Sequence, residues 1–298
     1  MTSELAPEPS GKALPAPACT LGEGPTYDRH TDTAWWFDIT GRKLFEYRME
    51  SGQLSTHHLP VMASVLARVD GERQILATES GLMLRLTHNG ALSMLMPVEY
   101  DDKLTRSNDG RVHACGALWY GTMGKNAETG AGSIYHVFKG KLTRLYDKMS
   151  IPNAISFSPD GTIAYFTDTE TLKLMRVPID PKTALPLSEP KLFHHLSHGN
   201  GWPDGAVVDA NGVLWNARWG GGAVDAYSPD GQRILSLDVP AKQSSCPAFV
   251  GRNADRLMVT SALQGLDAEA RKADPEAGKT FLLGHAVQGR FEPDFYLV

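Results

Sequence analysis

Gly201-Trp202-Pro203-Asp204-Gly205-Ala206-Val207-Val208-Asp209-Ala210-Asn211-Gly212-Val213-Leu214-Trp215 is the stretch whose reading decides the fold. A Pro-Asp-Gly corner comes first. Ala206 to Val208 is a short apolar run and reads as a strand buried on both faces. Asp209-Ala210-Asn211-Gly212 is a hairpin turn, in which Asn-Gly supplies positive φ. Leu214 and Trp215 begin the return strand. Asp204 thus stands just before the buried strand, where a polar side chain can face a cavity while packing locks its neighbours.

The pattern recurs along the chain. Ile151-Pro152-Asn153-Ala154-Ile155 carries Asn153 at the equivalent place, Leu21-Gly22-Glu23-Gly24-Pro25 carries Glu23, and Arg106-Ser107-Asn108-Asp109-Gly110 carries Asn108. Weaker copies begin near Ala63-Ser64-Val65 and Ser245-Cys246-Pro247. The unit starts, near 22, 64, 107, 151, 201 and 245, are spaced 42, 43, 44, 50 and 44 residues apart. A period of about 40–50 residues filled with short strands is that of a β-propeller blade. Six starts predict an all-β fold, a six-bladed propeller of four-stranded antiparallel blades around a central channel.

Between the starts, apolar runs alternate with turn residues, as half-buried antiparallel strands require. Thr33–Ile39 turns through Thr40-Gly41-Arg42-Lys43 into Leu44–Arg48, and Ala117–Thr122 is followed by Gly132–Val137. Residues 1–17 are expected to be a mobile arm and residues 18–298 a single propeller domain, since blades share one channel and cannot stand alone. Leu266–Ala273 reads as a loop insertion in the last blade. Phe291–Val298 is the expected closing strand, pairing with the chain start so that no sheet edge stays open.

Composition excludes several classes. With 29 Lys and Arg against 34 Asp and Glu, the net charge is −5, and no basic stripe suits nucleic acid. No run approaches the roughly 18 apolar residues of a membrane span. The start has no apolar core of the signal-peptide kind. The three cysteines, Cys19, Cys115 and Cys246, are widely spaced without a Cys-x-x-Cys pair, the usage of a cytoplasmic protein with reduced thiols. The adjacent histidines at 57–58 and 194–195 would point to opposite sides of a strand and make no metal pair.

In a propeller, the starts of the inner strands face one mouth of the channel. Glu23, Asn108, Asn153 and Asp204, from four blades, therefore converge. Taken singly, Asp204 in Pro-Asp-Gly and Asn153 after a proline also read as turn residues, as Asp160 and Asp230 do between strands. Taken jointly, in register with the repeat, four oxygen donors read as a site. Hard oxygen donors suit calcium, magnesium or manganese, and zinc less well. The serines have no Gly-x-Ser-x-Gly setting for a nucleophile.

These motifs, with Trp35-Trp36-Phe37-Asp38-Ile39, Gly121-Thr122-Met123, Asp168-Thr169, Trp219-Gly220-Gly221 and Val259-Thr260-Ser261-Ala262, resemble in order and spacing the SMP-30/gluconolactonase/regucalcin family from about Gly22 to Ala262. The resemblance implies one catalytic divalent cation (Ca2+, Mg2+, Mn2+ or Zn2+) and hydrolysis of a small-molecule sugar lactone. It matches Glu23, Asn153 and Asp204 to metal ligands, and Arg106 and Asn108 to substrate contacts. Asp204 is expected to be the general base as well. Other readings of the same residues are a metal-dependent esterase or phosphotriesterase and a calcium-binding propeller without catalysis. One departure is visible. Where regucalcin-like members carry an acidic pair after Gly-Thr-Met, this chain has Gly124-Lys125-Asn126. If Lys125 and Asn126 reach the substrate, with Arg218 on the neighbouring strand of the Asp204 blade, a lactone bearing its own carboxylate is the expected ligand.

Overall fold

The structure is a computed structural model and describes residues 11–298. Its strands form six four-stranded antiparallel sheets, one for each predicted repeat. The inner strands are Gly22–Asp28, Ala63–Arg68, Thr105–Val112, Pro152–Phe157, Trp202–Val208 and Ser244–Val250, and blades 1 to 6 are numbered from them. The six-bladed propeller expected from the sequence is the fold.

Burial falls with distance from the channel axis. In blade 1 the second strand, Thr33–Asp38, is buried at every position, whereas the outer strand, Leu54–His58, has no buried residue. Alternation is therefore weaker than the sequence reading implied, because neighbouring blades cover both faces of the second strands. Between blades the packing is aromatic: the Trp119 ring meets Phe157 edge-on at 5.6 Å. Each such ring taken out of water contributes about 2–3 kcal/mol.

Every inner strand carries a β-bulge near its start. Glu23 pairs with Phe37 and Thr26 with Trp35, so three steps along the inner strand match two on its neighbour. One extra residue is likewise inserted between Ala63 and Val65, Ser107 and Gly110, Asn153 and Ser156, Pro203 and Ala206, and Ser244 and Pro247. A bulge bends the strand and re-aims its side chains. Here it turns them into the channel. Asp204 thus lies inside the strand Trp202–Val208, not ahead of it as the sequence reading had it.

The ring closes differently from the expectation. Lys12–Ala13 pairs with Phe281–Ala286 and is the outermost strand of blade 6. Of the expected arm, residues 1–10 lie outside the described residues, and the remainder is anchored: Leu14 N donates to Thr280 O at 2.8 Å. Phe291–Val298 forms no strand, because the edge it would need is already taken and Pro293 has no N–H to offer. It runs instead across the far ends of the inner strands. Arg290 donates to Val208 O and Phe157 O, Glu292 meets Arg111 at 3.3 Å, and Phe295 N donates to Arg68 O at 2.7 Å. The insertion in blade 6 holds a short helix, Ala268–Ala273. Among the described residues no helix is long and apolar enough to cross a membrane, and the three cysteines are free.

Candidate metal centre and lactone pocket

The bulges deliver the predicted residues to one place. A cavity of about 220 Å3 at the mouth opposite the C-terminal segment is lined by Glu23, Arg106, Asn108, Asn153 and Asp204. Leu21, Met123, Ala127, Ile151, Thr169, Trp219 and Gln264 complete its wall. All five predicted polar side chains belong to buried residues. The residues following two of them, Gly24 at φ +54° and Ala154 at φ +56°, adopt the left-handed conformation. For Gly24 no other residue fits, since a Cβ there would lie 1.9 Å from Ser64 O.

A hydrogen-bond chain sets the amides. Arg106 Nη1 donates to Ser107 O and to Asn108 Oδ1, both at 2.9 Å. Asn108 Nδ2 donates to Pro152 O at 3.0 Å and to Asn153 Oδ1 at 2.8 Å. Asn153 Nδ2 donates to Thr169 Oγ1 at 2.9 Å, and that hydroxyl donates to Pro203 O at 2.9 Å. The chain spans blades 3, 4 and 5 and fixes Asn153 through both ends of its amide, leaving a lone pair of Oδ1 for another partner.

The carboxylates are not balanced in the same way. Among the described residues neither Glu23 nor Asp204 has an ion-pair partner within 4.0 Å, and the hydrogen bond to the Glu23 side chain comes from Gly24 N at 3.0 Å. Burial first, then the Asp109 charge, pushes the Glu23 carboxyl well above its ordinary range. Burial first, then the Glu23 and Asp109 charges, does the same to Asp204. Burial lowers the Arg106 guanidinium to about 10, against the pull of Glu23 and Asp204. Two buried carboxylates beside an oriented amide oxygen make a donor set that fits a hard divalent cation, which would supply the missing counter-charge. Among the described residues no group of three His, Cys, Asp or Glu could hold a metal, so a cation here needs the Asn153 oxygen as well.

Three expected contacts are placed elsewhere. Lys125 Nζ pairs with Glu79 Oε2 at 2.6 Å, and Asn126 Nδ2 donates to Glu128 Oε1 at 3.0 Å; neither lines the cavity. Arg218 is buried against Asp225 at 2.7 Å and also lies off the cavity, its guanidinium held by Asp225, Tyr227 and Gly201 O within its own blade. The sequence reading in turn missed Thr169, Trp219 and Gln264. The first two stood in quoted motifs without a role, and Gln264 sits in an irregular loop with no period to mark it.

A six-bladed propeller with a carboxylate–amide pocket at one channel mouth defines the class of protein. Residues 21–263 match the profile of the SMP-30/Gluconolactonase/LRE-like region. The chain belongs to that family. It is 56% identical over 97% of its length to a Rhizobium meliloti protein named as a candidate sugar lactone lactonase, of which it covers 98%. It is 35% identical to an L-arabinolactonase of Azospirillum brasilense, with 88% of each chain covered. Among solved structures, it is similar to a calcium-binding protein, regucalcin, from Agrobacterium tumefaciens, with TM-score 0.95 and 52% identity over 96% of this chain and 97% of that one.

Proposed function

We propose that the protein is a divalent-metal-dependent hydrolase that opens sugar lactones to the free sugar acids. The observation that carries this reading is the pair of buried carboxylates, Glu23 and Asp204, facing one cavity beside Asn153 with no cationic partner in contact. The lactonase names of the relatives support the substrate class. Glu23, Asn153 and Asp204 would hold the cation. When bound, it supplies polarisation of the lactone carbonyl and offsets the charge that grows on the carbonyl oxygen as water adds.

The chain's own residues do the rest. Asp204, ionised beside a cation, accepts a proton from the attacking water and returns it to the ring oxygen as the C–O bond breaks. Water and lactone are consumed and one hydroxy acid is formed. Arg106 and Asn108 orient the substrate near the carboxylates, and Leu21, Met123 and Ile151 exclude bulk water from one side. A cavity of about 220 Å3 suits a compact substrate, since pockets for drug-sized ligands run to about 300–1,000 Å3.

Asp204→Asn tests the assignment. The amide keeps the shape and one oxygen donor but cannot take a proton, so turnover of an aldonolactone should fall by about 100-fold or more. Wild-type turnover at saturating metal would remove Asp204 as the base. A calcium-binding propeller without catalysis would show metal binding and no lactone turnover in the wild type.

A further inference from the structure

The connections at the mouth of the cavity are unequal. From the second strand to the third, blades 1 to 5 use between two and seven residues, whereas blade 6 uses residues 262–280, nineteen in all. Irregular loops on a rigid scaffold are where recognition is placed. This one is held in position. Gln243 Nε2 donates to Ala262 O at 2.9 Å and to Gln264 O at 3.0 Å, and Leu263 N donates to Cys19 O at 3.2 Å. Gln264 lines the cavity and is exposed, and among the described residues its side-chain amide has no hydrogen-bond partner. Trp219 lines the same cavity, and its cross-strand neighbour Trp202 is 51% exposed.

Among the described residues Arg106 is the single cationic side chain on the cavity wall, and Lys125 is held by Glu79. The wall formed by Leu21, Met123, Ala127, Trp219 and Gln264 carries no charge.

We propose that Gln264 and Trp219 are the substrate-reading wall of this pocket and take an uncharged, hydroxylated part of the lactone; the inference rests on the lactone-hydrolase reading. A primary amide donates and accepts, as a sugar hydroxyl does. An indole offers a flat apolar surface to the C–H face of a sugar ring. An anionic substituent packed against this wall would meet no charged partner there, and any water it gave up would be a net cost. This wall therefore favours a hydroxyl over a carboxylate, phosphate or sulfonate, reversing the preference expected from Lys125 at the level of sequence.

The test is a cycle between protein and substrate. kcat/KM is measured for wild type and Gln264→Ala on one aldonolactone and on each of its monodeoxy analogues, with a thermal melt confirming that the exposed-loop variant folds. Loss of one neutral hydrogen bond should lower kcat/KM for the parent about five- to tenfold, and for one deoxy analogue the two proteins should converge. Gln264→Arg should raise the aldarolactone-to-aldonolactone ratio of kcat/KM by about tenfold. A uniform effect on parent and all analogues, with no change of ratio in Gln264→Arg, would overturn the inference and leave the hydrolase reading intact. Failure of the wild type to hydrolyse any lactone would overturn both.

Discussion

Asn108 Nδ2 donates to Asn153 Oδ1 at 2.8 Å, linking blades 3 and 4 through two side chains that face the same cavity. Asn108 spends its amide on this bond, on Pro152 O and on Arg106, so its first role is to hold the oxygen of Asn153 in place. Supporting bonds of this kind typically account for 10- to 100-fold in metal affinity. Asn108→Ala should therefore weaken divalent-cation binding by about tenfold or more, beside a loss of about 1–3 kcal/mol in metal-free stability from the buried partners left unpaired. Calorimetric titration with the cation measures it, and unchanged affinity would show that Asn153 needs no such support.

Metal-free stability should fall as pH rises. The folded-state carboxyls of Glu23 and Asp204 are raised first by burial, then by the Asp109 charge on Glu23 and by the Glu23 and Asp109 charges on Asp204. The folded protein then binds protons that the unfolded chain has released above about pH 4, so stability is lost as pH climbs towards the raised values. A cation needs both groups ionised, so its stabilising effect should grow with pH. Thermal melts at pH 5 and pH 8, with and without cation, read both trends. A cation-induced rise in Tm that is larger at pH 5 would contradict the assignment.

The bulges give a backbone prediction. Ala154 sits at φ +56° directly after Asn153, a conformation that costs a side-chain-bearing residue about 1–2 kcal/mol. Ala154→Gly relieves that cost and adds unfolded-chain entropy, and should stabilise by about 0–1 kcal/mol. Gly24→Ala places a Cβ 1.9 Å from Ser64 O at the equivalent point and should destabilise by about 2–3 kcal/mol. Denaturant melts of the two variants should move in opposite directions.

Lys125→Ala should change little. Its partner Glu79 and its own side chain are partly exposed, at 13% and 28%, so the pair is worth about 1 kcal/mol or less. The ratio of kcat/KM for an aldarolactone over its aldonolactone should be unchanged, since Lys125 does not line the cavity. A tenfold drop in that ratio would return Lys125 to the substrate.

Blade number and the convergence of Glu23, Asn108, Asn153 and Asp204 were legible because each repeats the same local chemistry at a fixed period. Apolar run, turn and polar residue are local features, and the propeller carries them to one axis. The bulges were not legible. They arise where an inner strand meets its neighbour. The pairing of Lys125 with Glu79 joins loops of two blades, and the sheet edge closed by Lys12–Ala13 joins the two ends of the chain. Neither contact leaves a periodic trace. Gln264 escaped notice for a related reason, since its loop is long, irregular and fixed by the side chain of Gln243.

The central claim is that Glu23, Asn153 and Asp204 hold a cation required for lactone opening. The most direct measurement is hydrolysis of an aldonolactone by protein stripped with chelator, its metal content checked, and then titrated with calcium, magnesium, manganese and zinc in turn. The account predicts a rate at the uncatalysed background when stripped, recovery with at least one of these cations, and weaker recovery in Glu23→Gln. Full turnover by the verified metal-free protein would contradict it.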